Sequence, residues 1–414
     1  MKTTIQNIPY NMFATMQNKF KCLFTIAVVI VVAASCSKND DATIDDNTNG
    51  INDKVFVVGT EILSNSNGSQ PILWTDGVKT TLPFLAGSKT QALKVKVVNN
   101  DVYIVGIENI TDFQNNLIMR NIVLWKNGVQ SKITNGSRFV DVHELVIDNA
   151  NVYVLGEENV INTGDDKFKI WKNGIATEIV NAQNAQGQDN SVSNLTVANN
   201  DVYVIATEKA IGSSTTQAKL YKNGVGTKVN TSASKASAQS LSVVGTEVSV
   251  FFTELNALNF KFEAKLWKNN VVSVVSDPTI SSESRSLIIR NAITHIVYRE
   301  GQSSDNSKII YLKNGARTVV VSNTLPNIFL DMKVDADNVS ILFSENDILK
   351  YWLNGVVKTV VGADRFLGQT FFLKGSNVYI INEVGTKLWK NGIETPLPLN
   401  GSTSSFDTND IFVN

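Results

Sequence analysis

The sequence predicts an all-β fold of about eight four-stranded antiparallel units. Three observations predict it. A Leu-Trp-Lys-Asn-Gly-like segment recurs along the chain, and a Val-Tyr-Val-like apolar segment precedes each copy. No stretch sustains the 3.6-residue period of an amphipathic helix.

The first motif runs through Leu73–Gly77, Leu124–Gly128, Ile170–Gly174, Leu220–Gly224, Leu266–Asn270, Tyr311–Gly315, Tyr351–Gly355 and Leu388–Gly392. Its last residues advance by 51, 46, 50, 46, 45, 40 and 37, and all 6 Trp of the chain fall in one slot. Tyr221 and Leu312 take that slot in the other two copies. Asn-Gly and Asp-Gly favour positive φ at both central positions of a two-residue hairpin, so each copy marks strand, turn and strand. Asn269-Asn270 serves the same turn, since Asn tolerates the left-handed region.

The second motif reads Val55–Gly59, Val102–Gly106, Val152–Gly156 and Val202–Ala206. Looser copies lie near Val248, His295 and Val339, a clear one at Val378–Ile381, and a ninth at Asp410–Asn414. Short β-branched and aromatic runs are strand chemistry. Polar turns such as Asn99-Asn100-Asp101 precede most of them. One unit therefore reads as strand a (Ala92–Val98), b (Val102–Gly106), c (Ile122–Lys126) and d (Val129–Ile133).

Such a unit resembles a β-propeller blade. The resemblance covers roughly residues 53–414 and implies a β-propeller of about eight blades closed by the C-terminal segment. Seven blades or a solenoid are the alternatives. The sequence lacks the Gly-His/Trp-Asp, kelch and Asp-box signatures, and the repeat resembles the Trp-Lys-Asn-Gly propellers of Bacteroidota lipoproteins. The first unit starts at Val55 with strand b, and Ser404–Asn414 resembles an a–b segment, so one blade is expected to draw on both ends of the chain.

Composition narrows the function. Among 414 residues, 37 Lys and Arg face 38 Asp and Glu, a balance without the field that attracts nucleic acid. With 2 His and 2 Cys the chain cannot build a zinc cluster of the usual kind, and 43% hydrophobic residues exclude a disordered chain. No nucleophile elbow or phosphate loop is present. His295 takes the Tyr slot of its unit, and His143 lies in the strand-a run Val140–Asp148. Asp335-Ala336-Asp337-Asn338 reads as a turn. No catalytic, cofactor-binding or metal-ligating residue is assigned.

The N-terminus reads as an address. Residues 1–35 hold Lys2, Lys19 and Lys21 but no acid, and Leu23–Ala34 is apolar except for Thr25. That run is shorter than the roughly 20 residues that span a bilayer and suits the core of a secretory signal. Ala33-Ala34-Ser35-Cys36 resembles a bacterial lipobox, though Leu is commoner where Ala33 stands. The resemblance implies lipidation of Cys36 and membrane attachment through it. It divides the chain into a signal peptide (1–35), an acidic tether (36–52) and the propeller (53–414). Asp40, Asp41, Asp45 and Asp46 make the tether a solvated segment. The tether also resembles the export signal of Bacteroidota surface lipoproteins. This implies an outer-membrane lipoprotein at the cell surface, with a periplasm-facing one as the alternative. Met16 offers a second start, and Cys22 lies within the removed segment, so no disulfide is expected.

The repeated residues read as structure before chemistry. The Trp slot is expected to plug the seam between blades rather than to present a sugar platform. Glu61, Glu108, Glu158, Glu208, Glu254, Glu300 and Glu345 recur after strand b, and Lys169, Lys219, Lys265, Lys350 and Lys387 precede the Trp slot by two. Glu158 and Lys169, Glu208 and Lys219, and Glu254 and Lys265 are expected to pair across the b–c hairpin. Glycosidases use two carboxylates, but a Glu in seven units is no singled-out pair.

From this Glu to the Trp slot the spacing is 13, 17, 13, 13, 13, 12 and 7, so the b–c connection varies. Variable loops on a rigid scaffold carry recognition. The longest holds Phe113, Asn115, Asn116, Met119 and Arg120, the candidate ligand-facing residues. The expected function is a non-catalytic, monomeric binding or scaffold module for glycan or protein. It is not an enzyme and takes no cofactor and no nucleic acid. The alternative is a propeller-type carbohydrate-active hydrolase or lyase, recognisable by acids converging in one pocket.

Overall fold

The computed structural model describes residues 53–63, 68–112, 114, 116–136, 139–159, 166–179, 190–209, 212–301, 307–322, 326–363, 369–382, 386–398 and 405–414. The leader, Cys36, the tether, Phe113 and Asn115 lie outside them. Every regular element among the described residues is a β-strand.

The strands form eight antiparallel units of four, each ordered a-b-c-d from one edge to the other. Blades 1 and 2 share a single parallel bridge, Ser69 to Lys89, and so count as one eight-stranded sheet. In blade 2 the strands are Lys89–Val98, Asp101–Thr111, Leu117–Lys126 and Val129–Lys132. The a strands of blades 3 to 8 are Phe139–Asp148, Ser191–Ala198, Ala236–Val244, Ser282–Arg290, Asn327–Asp335 and Gln369–Lys374. Blade 1 takes its a strand from the chain's end, where Ser405–Val413 pairs antiparallel with Val55–Ile62. That strand touches the a strand of blade 8 on one side and that of blade 2 on the other.

The hairpins follow from the turn residues. Asn127 and Gly128 have φ of 51° and 80°, and Asn269 and Asn270 have 44° and 71°, the double left-handed turn that Asn and Gly adopt at least cost. The Asn does more than turn. Its Oδ1 accepts an N–H at the start of strand b, as from Val102 to Asn127 at 2.8 Å and from Val378 to Asn391 at 2.9 Å. The same bond forms in all eight blades, with Asp76 replacing Asn in blade 1. One residue thus ties the c–d turn to the a–b turn beside it.

The apolar core lies between blades. Tyr103, Val105 and Ile122 of blade 2 pack on Val142, Leu145 and Trp171 of blade 3. Tyr379 and Leu388 of blade 8 pack on Trp74, Phe406 and Ile411 of blade 1 in the same way. All six Trp are buried, as the plug reading expects. Three indole N–H groups also donate to the carbonyl just beyond strand d of the preceding blade: Trp74 to Pro398 at 3.2 Å, Trp125 to Pro83 at 2.7 Å and Trp389 to Val361 at 2.9 Å.

The recurrent Glu lies within strand b, not after it, because the b–c ladder runs further than the apolar motif suggests. Its pairing is diagonal. Glu158 stands opposite Lys167 in register but its carboxylate bonds Lys169, and Glu208 likewise bonds Lys219. Glu254 meets Lys265 at 2.8 Å and Glu345 meets Lys350 at 2.7 Å. Where strand c lacks that Lys, strand d supplies the cation: Lys79 to Glu61 at 3.0 Å, Lys132 to Glu108 at 3.0 Å and Arg317 to Glu300 at 2.8 Å. His295 is buried with its Nδ1 2.7 Å from the Tyr311 hydroxyl, a structural residue as expected.

Candidate functional site

The expected long loop is largely sheet. Strand b of blade 2 reaches Thr111 and strand c starts at Leu117, so Met119 and Arg120 are ladder residues opposite Ile110 and Asn109. Asn116 is exposed and closes the hairpin by donating its amide N–H to Asp112 Oδ1 at 2.8 Å and its Nδ2 to Asp112 Oδ2 at 2.9 Å. Met119 is half-buried. Arg120 donates Nε to Asn109 Oδ1 at 2.6 Å and Nη1 to the Val140 carbonyl of blade 3 at 3.3 Å. Its guanidinium therefore clasps two blades. Phe113 and Asn115 lie outside the described residues.

A different set of polar groups converges on the a strands. In seven of the eight among the described residues, the a–b register slips: at Leu93, His143, Asn194–Leu195, Gln239, Arg285, Leu330 and Asn409. A bulge leaves one residue unpaired and re-aims its neighbours. The residues just past it include Lys94, Glu144, Ser240, Ser286, Asp331 and Asp410.

Several of these side chains latch neighbouring blades. Asp410 Oδ2 accepts the Val95 N–H at 2.9 Å, Glu144 Oε2 that of Leu195 at 2.7 Å, and Asn194 Oδ1 that of Leu241 at 2.9 Å. Ser240 Oγ accepts the Leu287 N–H at 3.0 Å. Each bond gives a backbone N–H at or just past the bulge a side-chain acceptor from the blade before it.

Glu144, Gln239, Arg285, Asp331 and Lys333 line a polar cavity of about 350 Å³. Glu144 keeps part of its surface open but lies deep in the wall. Burial raises its carboxyl above the ordinary range, against the Leu195 amide and the charges of Lys96, Lys94 and Lys333. Burial works against the Lys333 ammonium too, yet Asp331, with Asp410 and Glu144, outweighs it and raises the Lys333 pKa. Asp331 and Lys333 pair at 2.6 Å. Arg285 spends Nη2 on Glu283 at 2.6 Å, while its buried Nε has no hydrogen-bond partner. Charges from blades 1, 2, 3 and 7 thus act on one another, and Glu144, Asp331 and Lys333 among them line the cavity.

No family model and no curated protein matches the chain. Among solved structures it is similar to the Pyrococcus horikoshii acylaminoacyl peptidase, at 13% identity and TM-score 0.47, covering 74% of this chain and 52% of that one. A prolyl endopeptidase matches at 7% identity and TM-score 0.49, over 78% of this chain and 50% of its own. The Porphyromonas gingivalis dipeptidyl peptidase 4 matches at 9% identity and TM-score 0.43, over 66% and 47%. The chain spans about half the length of these structures. All three proteins are peptidases by name. Against that finding the expectation of a non-catalytic module, and of a chain that is not an enzyme, is withdrawn. At such identities and TM-scores the likeness transfers neither activity nor substrate.

Proposed function

We propose that the eight blades close into a ring and that its polar mouth is a hydrolytic site for a glycan, with Glu144 as proton donor. The observation that carries this reading is the state of Glu144. One oxygen is fixed by the Leu195 amide, burial raises the carboxyl, and the group opens on a polar cavity. A positioned acid with an elevated pKa is what protonation of a leaving group needs. Asp331, paired with Lys333, supplies the second carboxylate, and the unpartnered Arg285 Nε supplies a donor for a sugar oxygen. Ring closure is supported by the C-terminal strand, which touches the inner strands of blades 8 and 2.

The full chain, offered a panel of labelled glycans and peptides, is expected to release product from a glycan. Glu144→Gln, which keeps the acceptor for Leu195, should lower kcat about 100-fold or more with unchanged melting. The donor must be protonated, so kcat should fall as pH rises through its raised pKa. Turnover undiminished in Glu144→Gln, or no turnover on any glycan, sinks the reading.

For location, the reading is a monomeric outer-membrane lipoprotein of the Bacteroidota type, held at the cell surface by Cys36 and the tether 36–52. The small-small-Cys junction after the apolar run supports it. Cys36→Ala should move the protein out of the outer-membrane fraction, and whole-cell protease treatment should remove the wild type.

A further inference from the structure

Blade 6 departs from the repeat in one place. Leu312 stands opposite Ile296, as Trp125 stands opposite Ile104 in blade 2. In blades 1, 2 and 8 the indole fills the seam to the preceding blade. Its N–H reaches the carbonyl two residues past strand d, which is Pro398, Pro83 or Val361. The same position in blade 5 is Ser276, two residues past Val274. With Leu312 in the slot, no indole is there to serve its carbonyl.

The seam between blades 5 and 6 instead holds a cavity of about 700 Å³. Leu266, Val275, Ile296, Tyr298 and Leu312 give it apolar walls, and Ser276 lies on its border. Tyr298 does not stand in for the missing ring. Phe252 and Phe343 occupy the same strand position in blades 5 and 7, which keep Trp267 and Trp352. At the polar end, which Asp277, Lys308 and Asn314 also line, Glu300 accepts from the Tyr298 hydroxyl at 3.1 Å and from Arg317 Nη2 at 2.8 Å. A cavity of this volume with one apolar wall and a few polar groups beside it has the make-up of a small-ligand pocket.

We propose that this cavity is an indole-binding site. It takes the ring of an indole, free or carried by the Trp of a peptide, in the place where blades 1, 2 and 8 seat their own, with the ring N–H on the Ser276 carbonyl. The proposal is independent of the hydrolytic reading.

Fluorine NMR of 5-fluoroindole with the full chain tests it. Saturable binding is expected, with Kd on the order of 0.1–1 mM for so small a ligand. The 1-methyl derivative, which lacks the donor, should bind about tenfold more weakly. Leu312→Trp should abolish binding and raise the melting temperature, because the protein then fills the pocket itself. Competition by N-acetyltryptophanamide separates the two sources: displacement at lower concentration than unlabelled indole assigns a peptide Trp, and at higher concentration a free indole. No saturable binding to the wild type, equal affinity for the methylated probe, or undiminished binding to a folded Leu312→Trp overturns the proposal. The methylated probe needs no variant, so the outcome does not depend on how Leu312→Trp folds.

Discussion

Asn127 shows how much one side chain does in this repeat. It adopts a φ of 51° and its Oδ1 accepts the Val102 N–H at 2.8 Å. Asn127→Ala loses both roles and leaves a backbone donor unserved, a cost of about 1–3 kcal/mol. Asn127→Asp should recover only part of it: the carboxylate keeps the acceptor, as Asp76 does for Val55 at 2.8 Å, but it faces Asp101 Oδ1, to which Asn127 Nδ2 donates at 2.7 Å. Chemical denaturation of the two variants checks the difference. Glu254 sets a pH dependence. Burial alone would raise its carboxyl, but the Lys265 ammonium and the Ser232 hydroxyl and amide outweigh it and bring its pKa down from 4.5 to about 2. A depressed folded pKa gives stability above the ordinary value that is lost as pH falls through the folded one. Between pH 4.5 and about 2 the wild type should lose at most about 3 kcal/mol through this group. Glu254→Gln should be less stable near neutrality and converge on the wild type at the acid end. A constant gap in urea unfolding across that range would sink the assignment.

Within a blade, bulge, glycine and tryptophan are one device. Gly106 lies against the Gln91 carbonyl, just before the bulge at Leu93, and an added Cβ would overlap that oxygen and come within 2.9 Å of Trp125 Cζ3. Gly59 and Gly156 meet Asp407, Trp74, Asp141 and Trp171 in the same way. Gly106→Ala must therefore break the bulge or displace the indole, and it should destabilise despite the added methyl. Trp125→Ala leaves a cavity and an unserved Pro83 carbonyl, and should cost about 3–5 kcal/mol by denaturant melts. A loss under about 1 kcal/mol in either variant would mean that this seam relaxes freely.

For the whole molecule the decisive strand is Ser405–Val413. It gives blade 1 its a strand, places Phe406 and Ile411 in the core shared with blade 8, and brings Asp410 to the Val95 amide. Removing 405–414 exposes an unpaired edge and apolar faces on two blades. The loss should be several kcal/mol, a large part of ordinary stability, so the truncated chain should aggregate or melt at least about 5 °C lower. Melting within a degree or two of the full chain would show that the strand is dispensable.

The eight units, their turns, the Trp plugs and the Glu–Lys pairs were legible because each rests on contacts within a hairpin or between equivalent neighbours. A period repeated along the chain records such contacts directly. Even the bulges left a trace: Lys94, Glu144, Asn194, Ser240, Ser286 and Asp331 each lie five residues before a left-handed a–b turn residue. That trace shows only when the repeats are aligned on their turns, because the bulge breaks strand alternation. The loop chosen from the spacing after Glu108 proved to be mostly ladder, since a longer connection can extend a hairpin as readily as open it. Local sequence determines strand, turn and plug. Which charges face one another, Glu144 of blade 3 and Lys333 of blade 7 among them, was decided only by the tertiary structure, because that meeting depends on blades far apart in the chain.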